Sequence, residues 1–133
     1  MSLIVDASVA VKWVSEEPGS RNARDLLASG DHLIAPEHLL FEVANALRKK
    51  LARGALTRVQ ATSGIRILDQ AFDELVETRP LLEKAVELAL DFSHPVYDCI
   101  YLALASRERL ALITADQRLV AVAQAAGIEA RRL

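Results

Sequence analysis

Apolar positions along this chain fall into two arrangements. Three short runs are continuous: Leu3 to Val5, Leu33 to Ala35 and Ala111 to Ile113. Successive strand residues point to opposite faces, so an unbroken apolar run predicts a parallel strand buried on both. Glu74 to Glu77 and Ile128 to Arg131 are weaker strand candidates. Between the runs, apolar residues recur at helical spacing. Leu39, Leu40, Val43, Leu47 and Leu51 predict a helix that Pro36 opens and Gly54 ends. Thr57, with Gln60 three residues on, predicts a capping box at the start of the next helix. Thr114 and Gln117 repeat that spacing ahead of Leu119 to Ala126, with Gly127 as the stop. Ser20 is a candidate cap for a helix through Leu27, and Pro80 and Pro95 suit the first turns of two more.

Strands and helices alternate, with helices in excess. That order predicts an α/β fold, a three-layer α/β/α sandwich around a mainly parallel sheet of about four to five strands. No repeat, low-complexity segment or linker interrupts it, and a length of 133 residues suits one domain over 1–133.

Composition narrows the class. Hydrophobic residues make up 52%, which excludes a disordered chain. No apolar run is long enough to span a membrane, and the first residues do not form a signal peptide. The single cysteine excludes an internal disulfide and fits a reducing, cytoplasmic setting. A formal net charge of −2 is unlike a generic nucleic-acid binder, so contact with RNA or DNA requires a local basic patch or a bound metal. Arg48, Lys49, Lys50 and Arg53 form a basic cluster, which reads first as a solvated helix end that complements the helix dipole.

Four acids interrupt apolar surroundings. Asp6 ends the first run, Asp116 closely follows the third, Glu42 splits Leu39-Leu40-Phe41 from Val43-Ala44, and Asp98 lies among Val96, Tyr97, Cys99 and Ile100. A carboxylate withdrawn from water must be paired, protonated or bound to a cation. Few basic residues lie close in sequence, so a divalent metal is the natural counter-charge if the fold gathers the acids. In open parallel sheets ligands bind beyond the carboxyl ends of the strands, where Asp6 and Asp116 stand. Glu42 falls about two turns into the helix after the second strand, and Asp98 in the first turn of the helix leading to the third run. Each also has a bland role. Asp6 can cap a helix from Ser8, Asp116 and Asp98 can complement helix dipoles, and Glu42 can sit on a solvated helix face. Hard oxygen donors suit Mg²⁺ or Mn²⁺, with Asp6 and Asp116 the leading candidates for direct ligands.

The stretches Val5-Asp6-Ala7-Ser8, Glu42-Val43-Ala44-Asn45-Ala46-Leu47, Tyr97-Asp98-Cys99-Ile100-Tyr101-Leu102-Ala103 and Thr114-Ala115-Asp116 resemble, in order, the successive motifs of PIN-domain nucleases, and among them the VapC toxins of toxin–antitoxin pairs. The resemblance implies a PIN-like fold and a Mg²⁺-dependent or Mn²⁺-dependent endoribonuclease with RNA as substrate. It also implies a small cognate antitoxin and, commonly, a homodimer. Asp6, Glu42, Asp98 and Asp116 map onto the acidic cluster, Ser8 and Thr114 onto its supporting polar positions, and Asn45 onto the polar position after the glutamate. Where some members carry a further acid after the last motif, this chain has Gln117 and Arg118. Arg48, Lys49 and Arg53 are candidate contacts to RNA phosphates.

Other readings remain: a free-standing PIN nuclease for RNA processing or DNA cleavage, or a non-catalytic binding module on the same fold. A receiver domain would carry paired acids after the first strand, and a haloacid-dehalogenase-like phosphatase Asp-x-Asp where this chain has Asp6-Ala7-Ser8. Cys99 reads as a small core residue. His32, His38 and His94 lack metal-ligand spacing, and His94 reads as a helix-start residue. Trp13, Phe41, Phe72, Phe92 and Tyr101 read as packing residues.

Overall fold

The structure, a computed structural model, describes all 133 residues. Its strands are β1 (Ser2–Val5), β2 (His32–Pro36), β3 (Glu74–Val76), β4 (Ala111–Thr114) and β5 (Ala130–Arg132). They form one parallel sheet in the order β3-β2-β1-β4-β5. The helices are α1 (Ala7–Val14), α2 (Ser20–Leu27), α3 (His38–Ala52), α4 (Arg58–Ala71), α5 (Leu82–Phe92), α6 (Val96–Glu108) and α7 (Gln117–Ala125), with a 3₁₀ turn at Arg79–Leu81.

The three continuous apolar runs are the three central strands. Leu3, Ile4 and Val5 are all buried, and since neighbours face opposite ways, both sheet faces are covered. Helices α1 to α4 pack among themselves, while α6 lies across β2, β1 and β4 with α5 against it. Helix α6 is buried from Cys99 through Ala105, so it carries no polar stripe and reads as apolar almost all round. Val5 pairs with Ile113, so β1 and β4 finish level and Asp6 leaves the sheet beside Thr114.

Several element starts differ from the sequence reading. Pro36 closes β2, in register with Val76, and α3 starts at His38; the Thr78 hydroxyl accepts the His38 N–H at 3.1 Å and replaces a local cap. Ser20 is the first residue of α2, after Gly19 at φ 91°, and its hydroxyl donates to the Ser15 carbonyl instead of capping. The Thr57–Gln60 capping box is present. The Thr114–Gln117 box is not: Thr114 is the last residue of β4, and Asp116 caps α7 by accepting the Arg118 N–H. Strand β5 begins two residues later than expected because the Ile128 N–H closes the end of α7 on the Ala123 carbonyl, past Gly127 at φ 73°.

Candidate active site

At the carboxyl edge of the sheet, β1 and β4 end in a small hydroxyl network. The Ser8 hydroxyl donates to Asp6 Oδ1 at 2.6 Å and accepts the Ala115 N–H at 2.9 Å. The Thr114 hydroxyl donates to Asp6 Oδ2 at 2.5 Å and accepts the Asp116 N–H at 3.1 Å. Each hydroxyl has one proton and gives it to Asp6, so the 3.3 Å contact between the two oxygens is packing, not a third bond. Asp6 also accepts the Val9 N–H and so caps α1. Its carboxyl is nonetheless pushed up from 3.8 to about 6, because burial outweighs these three donors and the Asp98 charge adds to the shift.

The other two acids stand on helices and are held by rings. Tyr101, buried on α6, donates its phenol proton to Glu42 Oε1 at 2.6 Å. His38 Nε2 lies 3.0 Å from the Tyr97 carbonyl and 3.2 Å from the same Glu42 oxygen. A carbonyl can only accept, so Nε2 carries the hydrogen; His38 Nδ1 is buried without a partner. The His38 ring packs on Tyr101 with centroids 4.8 Å apart. His94, also buried, places Nε2 2.8 Å from Asp98 Oδ2. Burial pushes Asp98 up; the His94 bond opposes this, and the Glu42 and Asp116 charges push it further. Burial and the Glu42 charge hold the Tyr101 phenol well above its ordinary value, so it stays a donor.

Asp98 thus shares a charge interaction with each of the other three acids, and the four stretches named in the sequence meet at one edge. None of the four carboxylates pairs with a lysine or arginine; the basic side chains that meet them are the imidazoles of His38 and His94. Glu42, Asp98 and Asp116 each bond through one oxygen and leave the other to solvent. This hard-oxygen donor set, short of positive charge, fits a divalent cation in kind. As the side chains stand, each is turned to its own hydrogen-bond donor, and no three form a cage for one ion.

The remaining predicted residues divide. Asn45 bonds to none of the acids; its Oδ1 accepts from Arg48 Nε at 3.2 Å. Arg48, Lys49 and Arg53 are exposed on α3 and at its end. Lys50 is instead tied to Glu17 at 2.7 Å, which Lys12 also meets at 2.9 Å. Trp13 and Phe72 pack together in the core, centroids 5.3 Å apart, and Cys99 is buried with its thiol pushed up to about 11 by burial and by Asp98. Phe41 is not a packing residue: it is 77% exposed, since Leu39, Val43 and Leu47 define the inner face of α3 and Phe41 projects away from it. From the sequence, His94 and Tyr101 read as helix-start and packing residues and His38 has no assigned role, yet all three hold the acids. Two carried a visible signal, a histidine four residues before each helical acid, which is one helical turn.

The PIN domain family profile matches residues 3–125. Ribonuclease VapC3 of Pyrobaculum aerophilum is 34% identical over 122 residues, covering 90% of this chain and 92% of that protein. Two solved structures share the fold at lower identity. Mycobacterium tuberculosis VapC20, described as a sarcin-ricin loop cleaving toxin, superimposes with a TM-score of 0.76 at 20% identity, covering 98% of this chain and 99% of that one. A toxin–antitoxin complex from Klebsiella pneumoniae gives 0.67 at 21%, covering 90% of each. With its sequence matched along nearly its whole length, the chain belongs to the PIN-domain family and, within it, to the VapC ribonucleases.

Proposed function

We propose that this chain is a divalent-metal-dependent endoribonuclease, the toxin of a toxin–antitoxin pair, working as one domain over 1–133 and as a homodimer in the cytoplasm. The observation that carries the reading is the acid quartet: four carboxylates from four separate stretches, coupled in charge and without a lysine or arginine partner. A Mg²⁺ or Mn²⁺ ion would supply the counter-charge, lower the pKa of a bound water and stabilise charge on the phosphoryl oxygens. Glu42, Asp98 and Asp116 would hold it through the oxygens they leave to solvent, and Asp6 through the remaining lone pair of Oδ2. Ser8 and Thr114 fix Asp6 and Asp116; Tyr101 and His38 fix Glu42; His94 fixes Asp98. The exposed cations Arg48, Lys49 and Arg53 are available to RNA phosphates.

The names of the relatives support a ribonuclease and an antitoxin partner. A basic side chain of that partner would enter the acidic edge and replace the metal's charge. For the homodimer the support is on α5, where Leu82, Val86 and Leu90 recur every four residues and are exposed. No helix is long and apolar enough to cross a membrane. The test is cleavage mapping on total RNA with Mg²⁺, with EDTA and with Asp6→Asn. Cleavage that needs the cation and is lost in the variant supports the reading; equal cleavage in all three contradicts it.

A further inference from the structure

Beside the acids lies a cleft of about 400 Å³ lined by His38, Phe41, Glu42, Asn45 and Tyr97. Its volume falls within the ordinary range of small-ligand clefts. Two of its five residues are large aromatics on different helices, Phe41 at 77% and Tyr97 at 68% exposure. Burying such rings is favourable, and neither contributes to the core, so folding does not account for them. Glu42 belongs both to the cleft and to the acid quartet, so whatever fills the cleft abuts the acids. The amide of Asn45 is oriented: Arg48 Nε donates to its Oδ1, leaving the Asn45 NH₂ to donate elsewhere. Along the same outer face of α3, Phe41 and Asn45 are followed by the exposed cations Arg48 and Lys49.

We propose that this cleft is a nucleobase subsite: an unpaired base next to the scissile phosphate stacks on Phe41 and Tyr97, with the Asn45 NH₂ donating to an acceptor on its edge and Arg48 and Lys49 following the backbone. The proposal rests on the ribonuclease reading and adds where the substrate's base goes. Aromatic walls with one amide donor suit a flat heterocycle, and single-stranded RNA is read by stacking with edge hydrogen bonds. The alternative occupant, a second copy of this chain, would leave the oriented amide and the cations without a stated role.

The test couples protein and RNA changes. Once mapping has located a cleavage site, oligoribonucleotides spanning it are made with each flanking residue in turn replaced by an abasic ribose, and KM and kcat are measured with Mg²⁺. For the wild type, one abasic position raises KM roughly ten- to a hundredfold. Phe41→Ala and Tyr97→Ala raise KM for the intact RNA by a similar factor and lose sensitivity to that same position, whereas Tyr97→Phe retains both. If Phe41→Ala responds to every abasic position as the wild type does, the subsite is wrong. A fall in oligomeric state of Phe41→Ala, seen by light scattering, assigns the face to a second copy and also overturns the proposal. Wild-type protein that cleaves no RNA with any divalent cation sinks the ribonuclease reading itself, and the subsite with it.

Discussion

The acidic edge is built in two different ways. On its strand side, Asp6 and Asp116 are held by short hydroxyl side chains and backbone N–H groups at the ends of β1 and β4. On its helix side, Glu42 and Asp98 are held by buried rings, Tyr101, His38 and His94. The strand side is rigid because its donors are part of, or next to, the sheet ladder. The helix side depends on packing between α3 and α6. An acid supported at a strand end is therefore fixed by the register of β1 against β4, while an acid supported from a helix needs a partner that helix packing must deliver.

Removing the acids themselves should have the largest effect. Asp98→Asn, which changes the acid coupled to all the others, should lower RNA cleavage by roughly a hundred- to a thousandfold, as should Asp116→Asn. Quantitative cleavage assays on folded variants check this, and near-normal rates would mean that the acids serve only as caps and solvated helix residues.

Changing the supports sharpens the contrast. Thr114→Val removes the proton that Asp6 Oδ2 accepts and the acceptor of the Asp116 N–H, in a fully buried position. It should weaken the apparent metal affinity by about ten- to a hundredfold and cost about 1–3 kcal/mol of stability. Tyr101→Phe leaves His38 on Glu42, so its loss should be smaller and should spare stability better. Metal titrations of activity, with melting curves, distinguish them; a larger loss in Tyr101→Phe would reverse the comparison.

Each side carries one acid that burial pushes up, Asp6 and Asp98. Asp6 has its folded value raised from 3.8 to about 6 by burial. Folding therefore favours its protonated form. The stability this contributes is fully present below about pH 4 and is lost as pH rises through about 6, on the order of 3 kcal/mol in the metal-free protein. Melting in EDTA should show a larger loss between about pH 4 and 7 in the wild type than in Asp6→Asn, where Asp6 no longer titrates and the raised Asp98 remains. Protons and metal compete for Asp6, so the Mg²⁺ needed for half-maximal cleavage should rise as pH falls below about 6. The smallest effect on chemistry is expected away from the edge: Leu90→Glu on α5 should shift the proposed dimer to a monomer by light scattering with little change in each site.

What the sequence made legible follows the same division. The apolar runs of β1, β2 and β4 were readable because both faces of a central strand are buried, and the strand acids were readable from where those runs stop. The capping-box reading of Thr114 failed because its spacing to Gln117 is only local; its partner, Asp6, is 108 residues away and, as a carboxylate, accepts a stronger bond, a contact suggested by the resemblance and not by the local pattern. His38 and His94 were visible at one-turn spacing from Glu42 and Asp98 but were compared with each other as metal ligands instead. The Tyr101 bond to Glu42 spans 59 residues and exists only because α6 is set beside the start of α3; no local pattern encodes it. Phe41 sits among apolar neighbours, and only the inner face set by Leu39, Val43 and Leu47 shows that it points outward.

The central claim is that the strand side and the helix side hold one divalent cation between them. Calorimetric titration of the RNA-free protein with Mn²⁺ tests it without reference to substrate, using wild type, Asp116→Asn from the strand side and Glu42→Gln from the helix side, each shown to be folded by circular dichroism. The prediction is saturable binding to the wild type, weakened at least about tenfold by either substitution. Wild-type affinity retained in both variants, or no binding to the wild type, would contradict it.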